Sequence, residues 1–313
     1  MNPGLHSELP LLAPMLYVPA NRPDLPELIA GTRNLGVCCL AICLEDSVRP
    51  DDRPAAAETL CRVLQSTSTL PRPVFVRPAS ATALEWLLEQ DGIERIAGFI
   101  HPKATVDTIH HWLELTRNLF TILPILESAE AIDPWGRRDL AQACAAHRSL
   151  IPCARIGAND LFSLLGGLRR PKGRTIYETP VGTVIDGLIE AFSSQGVRLC
   201  GPVFDRLEDP ETFEAEIEAD IERGLFAKTS LNPRQVEQIW RCYEPKQEEV
   251  EEAVRILQPE SLAVFGLNGA MLEPACHSEW AKRLLERRRI YFQDDLLSLN
   301  RRVNIMDKGR DSE

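Results

Sequence analysis

Eight short apolar runs recur along the chain, each followed by a longer amphipathic stretch, and no other feature narrows the fold as much. The runs are MLYV (15–18), VCCLAICL (37–44), PVFVR (73–77), GFI (98–100), FTILPIL (120–126), CARIG (153–157), VRLCGPV (197–203) and LFAKTSL (225–231). Runs that are apolar throughout, rather than alternating, belong to strands buried on both faces. The stretches between them, such as DDRPAAAETLCRVLQ and DPETFEAEIEADIERG, carry Asp and Pro near their starts, as helices do. Strand–helix alternation predicts a parallel sheet coated by helices. Eight such units in 313 residues predict an α/β fold of the closed (β/α)₈ barrel type rather than an open doubly wound sheet.

The chain beyond the eighth run exceeds a barrel's needs: NPRQVEQIWRCY, PKQEEVEEAVRILQ, a second apolar run SLAVFGLNGAML, and the helix-like SEWAKRLLERRRIYF. The expected division is a barrel over residues 1–258 and a C-terminal extension over 259–313 that packs on a neighbouring subunit. The last stretch, NRRVNIMDKGRDSE, is polar and expected to fray.

A formal net charge of −11 argues against a nucleic-acid binder, because neutralising phosphates takes clustered Lys and Arg. The short clusters Arg169-Arg170 and Arg287-Arg288-Arg289 read as solvated surface. Nine cysteines show no CxxC pair and no Cys/His metal spacing. Cys38, Cys39, Cys43, Cys153 and Cys200 lie inside apolar runs, as buried free thiols do in a reducing compartment. The N-terminal MNPGLHSELP has no charged-then-apolar signal pattern, and no apolar stretch is long enough to span a bilayer. The expectation is a cytoplasmic protein with no membrane partner. Neither a P-loop nor a dinucleotide glycine motif occurs, so nucleotide binding is not indicated.

Active sites of (β/α)₈ barrels lie at the carboxyl ends of the strands. At those ends this chain places, in order, Arg22, Glu45 with Asp46, Arg77, His101 with Lys103, Glu127, Asn159 with Asp160, Asp205, and Asn232. Glu127 and Asp160 are the candidate metal ligands, since carboxylate oxygens with several waters suit Mg²⁺ or Mn²⁺; helix capping is the alternative for each. Arg77 is the candidate partner of an oxyanion or substrate carboxylate, because its planar fork bonds bidentately; a structural ion pair with Glu45 or Asp46 is its alternative. Glu45 and Asp46 are adjacent and are expected to point to opposite faces of their strand, so that only one enters the mouth. Arg22, Lys103 and Arg155 are the candidate substrate-binding cations. His101 reads as an orienting or satisfied side chain more readily than as a base, and His110-His111 as surface. The Gly- and Arg-rich stretch 161–181 reads either as a lid or anion-binding wall, or as a structured surface loop.

Seven motifs occur in one order: YVPANRPD, CLEDSV, FVRP, GFIHPK, PILESAEA, RIGANDLFSLLG and AMLEPACH. Together they resemble the HpcH/HpaI aldolase and citrate lyase β-subunit family, from about Leu16 to about Trp280. The segments IGANDLFSLLGGLRR and AVFGLNGAMLEPACHSEWA resemble most a C–C bond lyase branch often encoded beside tellurium-resistance genes. The resemblance implies a barrel of the phosphoenolpyruvate/pyruvate superfamily, Mg²⁺-dependent cleavage or formation of carbon–carbon bonds, and a homo-oligomer, trimer or hexamer. It implies metal ligation by Glu127 and Asp160, and a substrate-binding role for Arg77. Glu273 falls where the family's acid reaches a neighbouring subunit's site. Relatives acting on coenzyme A thioesters carry Asp in place of Glu273 and IHP in place of LNP (231–233), so Asn232 brings no titratable group. The histidine that some pyruvate aldolases use near the end of strand two is replaced by Glu45-Asp46.

These readings give, as catalytic candidates, Arg77, Asp46, Glu45 and Glu273. The expected chemistry is that of a metal-dependent lyase or aldolase working through the enolate of a 2-oxo acid or acyl thioester, with a small carboxylic acid or a coenzyme A thioester as candidate substrates. A thioester hydrolase or phosphoenolpyruvate-type enzyme on the same barrel is the second expectation, and a non-catalytic subunit of a larger complex the third.

Overall fold

The computed structural model describes residues 14–33 and 35–292. Eight strands form one parallel sheet: β1 (Met15–Pro19), β2 (Cys39–Cys43), β3 (Val74–Arg77), β4 (Gly98–His101), β5 (Thr121–Leu126), β6 (Cys153–Ile156), β7 (Arg198–Cys200) and β8 (Thr229–Ser230). Each predicted run supplies one strand. The order β7-β6-β5-β4-β3-β2-β1-β8 closes on itself where Gly201 bridges Lys228 in parallel and its N–H donates to the Ala227 carbonyl at 2.7 Å. The fold is a (β/α)₈ barrel.

Helices α1 (Leu25–Ala30), α2 (Arg53–Ser66), α3 (Ala81–Leu88), α4 (Val106–Leu115), α5 (Ala129–Ile132), α6 (Pro134–Ala146), α7 (Ala158–Leu164), α8 (Pro180–Ser194) and α9 (Pro210–Glu222) alternate with the strands. Their starts are held as the sequence predicts. Ser80 accepts the Ala83 N–H at 3.2 Å, Asp133 that of Gly136 at 2.7 Å and Asp209 that of Thr212 at 3.3 Å. Strand residues face two ways. Leu40, Ile42, Val74, Val76, Phe99, Ile122, Ala154 and Ile156 pack outward into the layer shared with the helices. The residues between them face the barrel interior and end, at the rim, in polar side chains.

Among the described residues, the loop after α7 is bound to the wall by a buried ionic cluster. Arg170 and Lys228 meet Glu216, with Lys228 Nζ 3.1 Å from Glu216 Oε1 and 2.7 Å from Asp220 Oδ2. Tyr177 donates its hydroxyl to Asp220, and the Ile176 N–H reaches Glu216 at 2.7 Å. Arg170 therefore corrects the expectation of solvated surface: its side chain is 0% exposed. Arg287 departs from it too, being half-buried beside Glu249 at 3.5 Å. A long cation can be buried when its fork finds carboxylates, which a count of charges along the sequence does not reveal.

The chain divides into compact units after Val236 rather than after residue 258. Helix α10 (Pro233–Tyr243) runs across the division. In the second unit α11 (Gln247–Ile256) and α12 (Pro274–Tyr291) pack through Val250, Ala253, Ile256, Ala281 and Leu284, with Leu272 of the hairpin β9 (Phe265–Leu267) and β10 (Ala270–Leu272). Residues 237–258 thus go with the extension, because the apolar stripe of α11 is filled by α12. The hairpin turns at Asn268-Gly269, both at positive φ, as a two-residue connection requires. The tail 300–313, expected to fray, lies outside the described residues.

Candidate active site

Four carboxylates and two cations meet at the rim of the barrel. Arg77, the last residue of β3, turns Nη2 toward Glu45, lies 3.0 Å from Asp46 Oδ2 and 3.5 Å from Glu127 Oε1. Lys103 Nζ lies 2.8 Å from Glu45 Oε1 and 3.6 Å from Asp160 Oδ1. The rim therefore brings together Glu45, Asp46, Arg77, Lys103, Glu127 and Asp160, six of the nine residues expected at the site. Glu45 and Asp46 do not point to opposite faces, contrary to expectation. Strand β2 stops at Cys43 and the chain bends over 44–46, so the alternation ends before it can separate them.

The loop that carries Lys103 is held by the end of β5. Glu127 Oε1 accepts the Lys103 N–H at 2.9 Å, the Ser128 hydroxyl donates to the Ala104 carbonyl at 2.8 Å, and Glu130 accepts the Val106 N–H at 3.0 Å. Lys103 itself sits at φ 49°, an uncommon conformation for a residue with a side chain, which these bonds sustain. Ser128 and Glu130 were not anticipated. Their signal is the three-residue spacing of the acids within ESAEA, where Glu127 faces the mouth and Glu130 caps α4.

Gly157, just after β6, makes room for Glu127. A Cβ there would lie 2.5 Å from Glu127 Cβ, 2.8 Å from Cδ, and closer still to Oε2. Gly157→Ala should therefore displace the carboxylate, lowering stability by about 1–3 kcal/mol and weakening divalent-metal binding together. Thermal unfolding with and without Mg²⁺ measures both; an alanine variant with unchanged metal response would show that Glu127 can move away freely.

The remaining three expected residues stand elsewhere. Arg22 is forked on Asp24, with Nε and Nη2 each at 2.7 Å, and Arg33 shares the same carboxylate at 2.6 Å. Arg155 lies inside the barrel below the rim, 3% exposed. Glu273 belongs to the second unit, where it precedes α12 and accepts from the Cys276 thiol at 3.4 Å. His101 faces outward and stacks on Trp112 at 4.1 Å; burial pushes its pKa down to about 3, so it is neutral and has no position from which to act as a base in the mouth. Asn232 accepts the Arg234 N–H at 2.9 Å at the start of α10.

The rim's charges decide what it can hold. Four carboxylates against two cations leave two negative charges uncompensated, whereas in the cluster around Lys228 two cations, Arg170 and Lys228, meet three acids, Glu216, Asp220 and Asp205, the last 3.0 Å from Arg170 Nε, an excess of one. Burial pushes the Glu127 carboxyl up to about 7, against the pull of Arg77 and with the push of Asp160. A dication at Glu127 and Asp160 would relieve that excess, so the donor set fits Mg²⁺ or Mn²⁺. No group of three or more His, Cys, Asp or Glu side chains fit to hold a metal occurs among the described residues. Two protein carboxylates with water completing the shell is the usual way Mg²⁺ is held, and is poor for zinc.

A family model described as C–C bond lyase of the TIM-barrel fold matches residues 9–292. The chain belongs to that family. Within and around this lyase family, the citrate lyase subunit beta of Haemophilus influenzae is 28% identical over 160 residues, 49% of this chain and 53% of that protein, so the chain spans about half of it. A (3S)-malyl-CoA thioesterase of Cereibacter sphaeroides is 24% identical over 77% of this chain and 80% of its own length. Among solved structures, CitE of Mycobacterium tuberculosis, in complex with magnesium, acetoacetate and coenzyme A, superposes with a TM-score of 0.68 at 22% identity, covering 89% of this chain and 99% of that one. That structure shares the lyase family's barrel. No helix among the described residues is long and apolar enough to cross a membrane.

Proposed function

We propose that this protein is a Mg²⁺-dependent carbon–carbon lyase or aldolase acting through the enolate of a 2-oxo acid or an acyl thioester, with Mn²⁺ as an alternative ion. The observation that carries the reading is the uncompensated pair of charges at the rim, centred on Glu127 and Asp160. Bound there, the ion would supply Lewis acidity to a substrate carbonyl. Arg77 adds a preorganised cation where negative charge develops during cleavage, and Glu45 and Asp46 fix its orientation. Lys103 is the cation that solvent reaches, with half of its side chain exposed, so a substrate carboxylate meets it first. In a homo-oligomer, trimer or hexamer, Glu273 would complete the site of a neighbouring subunit.

The raised carboxyl of Glu127 gives this reading a pH signature. Its ionised form binds the metal, so Mg²⁺ affinity should rise with pH up to about 7 and level off above it, changing by up to about tenfold per unit below that point. Calorimetric titrations at several pH values measure this; an affinity independent of pH between 5 and 7 would remove Glu127 from the ligand set.

The second reading, thioester hydrolysis, is supported by the name of the Cereibacter sphaeroides relative, and coenzyme A as a carrier by the ligands of the Mycobacterium tuberculosis structure. Incubation with (3S)-malyl-CoA and Mg²⁺ separates the two. Cleavage yields two carbon fragments and leaves the thioester intact on one of them, whereas hydrolysis yields free thiol and an unbroken acid. Turnover of neither malyl-CoA nor a free 2-oxo acid such as oxaloacetate, with Mg²⁺ bound, would count against both.

A further inference from the structure

Inside the barrel, one pleat below the rim, a cation stands without a carboxylate. Arg155 on β6 is 3% exposed, and the groups that act on it are Cys200, Tyr17, Cys153 and Cys39, from strands β7, β1, β6 and β2. Side chains from four strands meet in this way only in the interior. Arg155 pairs with Cys200 across β6 and β7, and Nη1 lies 3.6 Å from Cys200 Sγ; Nη2 is buried and has no partner among the described residues. Arg77 repeats the pattern. Its Nη2 carries three of the four rim carboxylates, Glu45, Asp46 and Glu127, while its Nε is buried and likewise unpartnered.

Tyr17 lies between these two arginines. Its ring is 5.9 Å from the Arg77 guanidinium, it feels the charge of both Arg77 and Arg155, and it pairs with Ala41 in the row below Cys43 and Arg77. Tyr17 is only half-buried, whereas the other inward side chains of that row and below, such as Ala41, Phe75, Cys39 and Cys153, are closed off. The mouth therefore reaches down as far as Tyr17. A guanidinium sealed in a barrel without an anion is costly.

We propose that Tyr17 and the free N–H of Arg155, roofed by Nε of Arg77, form a carboxylate-binding floor that selects a short dicarboxylate, one carboxylate resting on the floor and the other end at the rim. The inference rests on the proposed enolate chemistry for the identity of the rim end, but not for the floor itself. The floor makes Arg155 and Tyr17 specificity-determining residues, and it makes a two-carboxylate acid, rather than a monocarboxylate such as pyruvate, the preferred ligand. A carboxylate is the fitting anion because a planar fork and a hydroxyl match its two oxygens.

The test compares succinate with butyrate, probes of equal length that differ by one carboxylate, by calorimetry with and without Mg²⁺. The protein as isolated should bind succinate at least about tenfold more tightly. Tyr17→Phe and Arg155→Met should each remove most of that preference while Mg²⁺ affinity stays unchanged, and Cys200→Ala should keep it. Equal affinity for the two acids in the unaltered protein overturns the proposal, as does a preference that survives Tyr17→Phe and Arg155→Met. Loss of the preference in Cys200→Ala also overturns it, since Arg155 would then serve a thiolate rather than a ligand. If Arg155→Met does not fold, Tyr17→Phe, which removes only a hydroxyl, decides alone. A preference without Mg²⁺ binding would uphold the floor and sink the metal reading; Mg²⁺ binding without a preference would do the reverse.

Discussion

Replacing Lys228 by methionine should lower the stability of the barrel by about 3–5 kcal/mol, because it leaves Glu216 and Asp220 buried without their shared cation. In thermal unfolding this corresponds to a fall of roughly 10 °C in Tm for a domain of this size. The deficit should depend on pH with a definite sign. Burial holds the Asp220 carboxyl above its ordinary 3.8, at about 6, so the folded state binds the proton more tightly than the unfolded state does. That contribution is complete below pH 4 and disappears as pH rises through 6. The variant should therefore be worst at pH 8 and recover part of its loss at pH 5. Denaturant titrations at both values check this. A loss below 1 kcal/mol, or one equal at the two pH values, would mean that the pair finds water or another donor.

Glu127→Gln should separate activity from stability. The amide keeps the shape and still accepts the Lys103 N–H, but it cannot offer a charged ligand; turnover should fall by about a hundred- to thousandfold. Mg²⁺ should raise the Tm of the unaltered protein by mass action and leave that of the variant nearly unmoved. Without metal the variant should be no less stable at pH 8. Since the folded pKa of Glu127 is raised from 4.5 to about 7, its stabilising contribution is present below pH 4.5 and lost as pH rises through 7. The amide has no such slope. A variant that retained turnover, or lost stability and turnover in proportion, would show Glu127 to be a packing residue rather than a ligand.

Much of the rim was legible from spacing alone. Glu127 and Asp160 come just after apolar runs that had to be strands, and the strands of a barrel deliver the residues at their carboxyl ends to a common face. Arg77 closing VFVR obeyed the same logic. Arg22 did not: a local partner two residues away, Asp24, captured it, and short-range pairing of exposed charges wins wherever geometry allows it. Tyr17 was missed because an aromatic in a strand is ordinary core by composition, and nothing in YVPANRPD says that its ring would lie under Arg77. Gly157 was missed for a similar reason, since its use is the absence of a Cβ beside a side chain 30 positions away.

By itself the sequence determined the strand count, the barrel, and which polar residues stand at strand ends, because those depend on periodicity and on chain order. Tertiary structure alone decided which charges neutralise one another: Arg170 and Lys228 disappear into a cluster with Glu216, Asp220 and Asp205, while the rim is left two charges in excess and Arg155 one cation unpaired. Ion pairing falls off over a few ångströms, so it is fixed by side chains that closure of the sheet brings together from far apart in the chain, as Arg170 meets Glu216 and Arg77 meets Glu127.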